Sequence, residues 1–179
     1  MPAGNLTHRL ATSNDLDELR ALMNAAIGEL LAPFLSAGQI ESSRKIMGLD
    51  SQLIADGTYF VVQAGGEILG CGGWSRRATL YGGDQTPGRI PTLLDPRHEA
   101  ARIRAMYTSP KHTRRGVGRL VLELCEEGAR LEGFRRAELV ATMAGAPLYL
   151  ACGYLLVEPL TDDRGGASVP LLRMQKNLS

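Results

Sequence analysis

Apolar positions recur at intervals of three and four from Leu16 to Leu31, where Leu19, Leu22, Met23, Ala26, Ile27 and Leu30 complete one stripe. That is the period of an amphipathic helix. Thr12, Ser13 and Asn14 precede it as candidate caps, Asp15, Asp17 and Glu18 load its first turn with the charge a helix dipole favours, and Pro33 stops it. Residues 6–10 predict a short strand before it, Gln39–Met47 a second helix, and Leu53–Ala55 one further turn. The period then changes. Thr58–Gln63 (TYFVVQ) and Glu67–Trp74 (EILGCGGW) flank the turn signal Gly65-Gly66, which predicts a β-hairpin.

Residues 76–100, dotted with Gly82, Gly83, Pro87, Gly88, Pro91 and Pro96, carry no period. They read as a loop or ordered insertion of a length uncommon unless functional. Ala101–Tyr107 alternates, which predicts a strand with Ile103, Ala105 and Tyr107 on one face, ended by Pro110. Gly116–Leu131 predicts a second amphipathic helix, Ala137–Ala141 a strand, and Pro147–Cys152 a short helix closed by Gly153. Tyr154–Val157 and Val169–Gln175 close the chain as strands about the polar turn 161–168. The order β-α-α-β-β-β-α-β-α-β-β, without repeat or linker, predicts one α/β (α+β) domain, a mixed sheet with helices packed on it.

Composition adds mainly exclusions. The 179 residues are 44% hydrophobic and 22% charged, which suits one core and excludes a disordered chain. Lys+Arg 20 against Asp+Glu 19 leaves a formal charge of +1, no global reason to expect nucleic acid or a membrane surface. No apolar run approaches the ~18 residues of a span. The start, MPAGNLTHRLATSND, lacks the apolar segment of a signal peptide, so a cytoplasmic location is expected. Cys71, Cys125 and Cys152 are odd in number, far apart and set among apolar residues, which predicts buried thiols. His8, His98 and His112 show no metal-ligand spacing, so no metal is expected.

One segment departs from this neutral background. Between residues 102 and 119 stand Arg102, Arg104, Lys111, Arg114, Arg115 and Arg119, with no acid among them. At the centre lies Thr113-Arg-Arg-Gly-Val-Gly118, between a strand and a helix. The first amides of a helix have no intrahelical partner, and the dipole and flanking arginines add positive potential. Gly116 and Gly118 lack Cβ, which would let a bulky oxyanion approach those amides. The combination describes a phosphate or pyrophosphate cradle, with a solvated basic turn as the plainer reading. A Gly-Lys-Ser/Thr loop is absent, and so is GxGxxG spacing.

The run Met106–Gly118, MYTSPKHTRRGVG, resembles motif A of the GNAT superfamily of N-acetyltransferases, and Ala146–Tyr154, APLYLACGY, resembles its motif B. Both occur in the family's order and separation, and the resemblance extends over roughly 6–176. It implies a mostly antiparallel central sheet of about seven strands flanked by about four helices. It implies acetyl transfer from acetyl-CoA to a primary amine of a small molecule or peptide. Met106, Tyr107 and Thr108 would pair with the pantetheine arm, and the backbone of Arg114, Arg115, Gly116, Val117, Gly118 and Arg119 would hold the pyrophosphate. Tyr149 would be the general acid for the leaving thiolate, or alternatively a packed aromatic.

Two departures stand out: Thr113 replaces the usual Gln or Arg of motif A, and Thr142–Pro147 lacks an asparagine many relatives carry. Glu99, His98, Glu41 and Glu138 are candidate bases, each also readable as a plain surface charge. The acceptor would be set by 30–57 and by 76–100, where Tyr81, Arg89, Asp95, His98 and Glu99 would suit a substrate wall or lid, or a dimer contact. Trp74 would line that pocket or belong to the core. A homodimer is left open. Competing readings are an acetyl-CoA-binding module without turnover and, more remotely, a nucleic-acid-binding basic patch.

Overall fold

The computed structural model describes residues 5–178. Seven strands, β1 (Thr7–Leu10), β2 (Tyr59–Ala64), β3 (Glu67–Ser75), β4 (Ala101–Thr108), β5 (Arg136–Ala141), β6 (Leu155–Asp162) and β7 (Val169–Asn177), form one sheet. Their order is β1-β2-β3-β4-β5-β7-β6, and every pairing is antiparallel except β4 with β5. Five helices accompany the sheet: α1 (Leu16–Leu30), α2 (Ala37–Ile46), α3 (Ser51–Ala55), α4 (Val117–Leu131) and α5 (Ala146–Ala151). The single turn α3 is the one beyond the expected four.

The period-2 pattern decides which side each strand residue serves. Val61 and Ile68 pack with α1 residues Leu19 and Met23, whereas their neighbours Val62 and Leu69 pack with α4 residues Val121 and Cys125. The sheet is therefore covered on both faces. Glycines in β3 bring α4 close: a Cβ on Gly70 would overlap Val117, and one on Gly72 would lie 2.6 Å from Val121 Cγ1. Trp74 belongs to the core, 2% exposed and edge-on to Phe134 at 5.9 Å. Gly128 leaves room for its indole, since a Cβ there would sit 2.5 Å from Nε1.

Element ends differ from expectation where side chains cap the backbone. Ser36 caps α2 in a reciprocal box with Gln39, so that helix starts at Ala37. Thr12 and Asp15 form the same box around a 3₁₀ turn, Ser13–Asp15, ahead of α1. Tyr154, expected as a strand residue, is instead a fully buried core side chain before β6. Among the described residues no helix is long and apolar enough to cross a membrane.

Candidate functional site

β4 and β5 pair only at Ala101↔Ala137 and Arg102↔Glu138, after which the strands part. The β5-facing backbone of β4 beyond Arg102 is thus open to an extended ligand. On its other side β4 carries a bulge. Arg104 opposes Gly73 and Tyr107 opposes Cys71, so Ala105 and Met106 together face the single residue Gly72. Ala105 adopts φ 50°, a strained value for a residue with a side chain. The simple alternation read from the sequence fails here, because the extra residue re-aims everything after it. Tyr59 holds the bulge from below by donating its hydroxyl to the Ala105 carbonyl at 2.8 Å.

Past Thr108 the chain makes a 3₁₀ turn, Pro110–His112, and enters α4 through two left-handed residues, Arg114 (φ 59°) and Gly116 (φ 79°). The turn is exposed, and α4 starts without a side-chain cap. Its leading amides therefore await an acceptor from outside the helix. The two glycines serve different ends. Gly116 supplies backbone conformation, since nothing lies within 4 Å of a Cβ placed on it. Gly118, read from the sequence as room for an oxyanion, makes room for Leu148 of α5, which a Cβ would approach to 2.9 Å. Val117 is buried against β3 and contributes only its backbone to the turn.

The basic run is not one surface. Arg102 pairs with buried Glu138 at 2.6 Å, and Arg104 pairs with buried Asp50 at 2.7 Å. The division leaves Lys111, Arg114, Arg115 and Arg119 as the exposed part of the run, gathered at the entry to α4.

A cavity of about 110 Å³ opens where β4 leaves β5. On the α4–α5 side it is lined by Met106, Thr142, Gly145 and Tyr149, and on the other by Met47, Gly48, Tyr81, Gly82, Arg104 and Tyr107. Tyr149 stands edge-on to Tyr154 at 5.9 Å and is 8% exposed. Burial, reinforced by the neighbouring Cys125 and Tyr107, pushes its hydroxyl well above the usual phenol range. Burial does the same to Tyr107. Both rings therefore stay protonated and able to donate.

None of the four candidate bases lines this cavity. Glu138 is held by Arg102 and Arg173, His98 by Asp95, and Glu41 by Arg44, while Glu99 accepts from the Asp95 amide. The cysteines are free thiols, and burial pushes Cys71 up to about 12, which leaves it inert. Among the described residues no group of three or more His, Cys, Asp or Glu could hold a metal ion.

Sequence reasoning missed Tyr59, Met47, Gly48 and the bulge at Ala105. The one available signal was Gly70, Gly72 and Gly73 in a single strand, which marks close approach by neighbours.

The sequence matches the Acetyltransferase (GNAT) family over residues 20–154. No curated protein matches it. Similar solved structures include a GCN5-related N-acetyltransferase from Rhodopseudomonas palustris (18% identity, TM-score 0.73, covering 99% of this chain and 98% of that one). A PaiA N-acetyltransferase from Thermoplasma acidophilum, in complex with coenzyme A, has 14% identity and a TM-score of 0.64 over 97% of this chain and 99% of its own. The Salmonella typhimurium acetyltransferase YncA, with acetyl-CoA, has 17% identity and a TM-score of 0.65 over 98% and 95%.

Proposed function

The chain belongs to the GNAT acetyltransferase family, and we propose that it is an N-acetyltransferase, moving an acetyl group directly from acetyl-CoA to a primary amine of a small molecule or peptide. The observation that carries this is the open edge of β4, which leads through a single 3₁₀ turn into the uncapped, left-handed entry to α4. An extended amide arm and a diphosphate need those two features in that order. Both related structures named above as holding coenzyme A or acetyl-CoA share the fold.

In this reading the backbone of Met106, Tyr107 and Thr108 pairs with the pantetheine arm. Amides from Arg114 through Arg119 hold the pyrophosphate, with the dipole of α4 and the exposed arginines supplying positive potential. The whole chain acts as one acetyltransferase unit, with 76–100 as part of its acceptor side.

Each chemical demand then has a local answer. As the amine attacks, the thioester oxygen gains charge, and backbone amides at the bulge are fixed donors that need no reorganisation. Strain at Ala105 is the cost of aiming them. The departing thiolate, with an ordinary pKa of about 8.5, takes a proton from Tyr149, and the nitrogen, which sheds one proton in becoming an amide, returns it to Tyr149 through water, so that the hydroxyl ends protonated. The amine must arrive neutral, and with no carboxylate lining the cavity its proton leaves to water.

Calorimetric titration with acetyl-CoA and thiol release with an amine panel test the proposal. Binding without release on any amine would turn the protein into a coenzyme-binding module. Absence of binding would end the acetyltransferase reading altogether.

A further inference from the structure

Among the described residues, Arg104 is the only charged one lining the cavity, and it is committed to other partners. Its side chain is 2% exposed, and Nη2 donates to Asp50 Oδ2 at 2.7 Å and to the Gly82 carbonyl at 2.6 Å. Nη1 reaches the Thr79 carbonyl at 3.4 Å. Asp50, itself 1% exposed and the cap of α3, accepts at its other oxygen from Arg89 at 2.5 Å. Asp50 thus joins α3 and Arg104 of β4 to the second arm of segment 76–100 through Arg89, while Arg104 itself holds the first arm at Thr79 and Gly82. The fastening continues outward: the Asp84 amide donates to the Leu49 carbonyl at 2.9 Å, and the Thr86 hydroxyl donates to that of Ile46 at 3.2 Å.

The segment forms no helix or strand. Its arms meet at the bridge Arg77↔Leu93 and through the amides of Ala78, Thr79 and Leu94, which donate to the carbonyls of Thr92, Ile90 and Arg76; the cluster fastens that pair of arms to β4 and α3. The Nε atoms of Arg89 and Arg104 are buried without an acceptor. A contact serving packing alone would shed that desolvation cost by becoming apolar.

The wall held in this way is chemically one-sided. Around Tyr81 and Gly82 the cavity presents Met47, Ile103, Tyr107 and Leu171, with no carboxylate anywhere in its lining. An ammonium entering would meet no counter-ion and one like charge, whereas a neutral amine on an apolar stem meets neither difficulty. The cavity, about 110 Å³, has room for a short stem of several heavy atoms beside these apolar side chains.

We propose that segment 76–100 is a fixed acceptor wall, fastened by the buried Arg104–Asp50–Arg89 cluster, which selects a single amine on a short apolar or aromatic stem over polycationic amines. The selectivity rests on the acetyltransferase reading above; the fastening does not. Arg104 is a positioning residue here: it acts through the carbonyls of Thr79 and Gly82, on either side of Tyr81.

The test uses the full chain and the variant Arg104→Met, which leaves Asp50 paired with Arg89. Amide hydrogen exchange at Thr79, Asp84 and Thr86 should quicken by about a hundredfold in the variant, since their local opening no longer breaks the cluster. The acceptor KM should rise about tenfold or more, because misplaced walls cost orientation, while acetyl-CoA affinity falls by much less, its pyrophosphate being held at the entry to α4. Arg104→Lys, which still reaches Asp50, should recover part of the loss.

Wild type should prefer phenethylamine to spermidine, and the reverse preference would overturn the selectivity. Exchange at the wild-type rate would overturn the fastening, as would equal losses for acceptor and coenzyme. Should Arg104→Met fail to fold, Arg89→Met keeps the Arg104 contacts and should quicken exchange at Asp84; no change at Asp84 would be decisive against the clamp. If wild type binds acetyl-CoA but acetylates nothing, the catalytic reading fails while exchange still decides the clamp.

Discussion

Gly70→Ala perturbs the joint between the sheet and the entry to α4. Its Cβ would overlap Cγ1 of Val117 and come within 3.3 Å of the Tyr107 carbonyl oxygen. Val117 is the first residue of α4, 1% exposed, and its β-branched side chain has one strongly preferred helical rotamer. The helix start must therefore move, and Gly116 with it. Overpacking of this kind costs about 1–3 kcal/mol, and in a chain of this length each kcal/mol lowers Tm by roughly 2–4 °C. Val117→Ala alone should cost about 2 kcal/mol for the two methyls lost from a buried site. In the double variant the new Cβ takes space those methyls vacated, so the combined cost should fall short of the sum by at least about 1 kcal/mol. Urea denaturation of the four proteins measures this, and calorimetry with acetyl-CoA should show affinity lost in Gly70→Ala and regained in the double variant. Strict additivity would refute the contact. A destabilised Gly70→Ala that binds coenzyme normally would refute the link from helix start to phosphate loop.

Three further outcomes follow from the site and its surroundings. Gly116→Ala should cost about 1–2 kcal/mol for a left-handed residue with a side chain, and Gly116→Asn less, because Asn tolerates that conformation; equal melting losses in the two would contradict a conformational role. Tyr149→Phe should lower kcat about a hundredfold with acetyl-CoA affinity unchanged. Since burial raises the Tyr149 hydroxyl, it is a proton donor throughout the neutral range, and wild type should show no alkaline loss of kcat from this group below about pH 10. Hydrogen bonds from Arg9 to Asp15 and from Arg164 to Asp162 hold both carboxyls down at about 2. Lowered values stabilise above the unfolded carboxylate pKa of about 3.9 and lose that contribution as pH falls toward 2. Denaturation midpoints should drop across that window in wild type and drop less in Asp15→Asn and Asp162→Asn.

Much of the fold was legible because its faces are regular. The α1 and α4 stripes bury most of the residues the 3.6 period selects, among them Leu19, Met23, Val121 and Cys125, whereas Leu131 at the end of α4 is exposed. The hairpin was legible from Gly65-Gly66, both of which have positive φ. The entry to α4 was legible because Gly116 stands where only conformational freedom serves. Gly118 looked equivalent on the page, yet its partner, Leu148, lies 30 residues along the chain and no local pattern announces it. The same limit explains the basic run. Arg102 and Arg104 face Glu138 and Asp50 from distant segments, so a string of positive residues concealed two buried ion pairs.

The bulge was the least legible feature because it is imposed from several directions at once. Ala105 sits in ARIRAMY, whose alternation is that of an ordinary strand, and no local residue asks for a positive φ. What sustains the strain is tertiary. Tyr59 pulls on the Ala105 carbonyl from one face, and the Arg104 side chain is locked to Asp50 and Gly82 from another. Across the ladder, Gly72 has no side chain where Met106 must fit, its Cβ position lying 2.9 Å from Met106 Sδ. A strained residue persists only where its surroundings over-determine it. Here those surroundings are also the walls of the cavity, so distortion of the strand and shape of the acceptor side are fixed by the same contacts. A substitution that relaxes Ala105 should therefore disturb acceptor selection and acetyl transfer together, even if it leaves the phosphate-binding turn untouched.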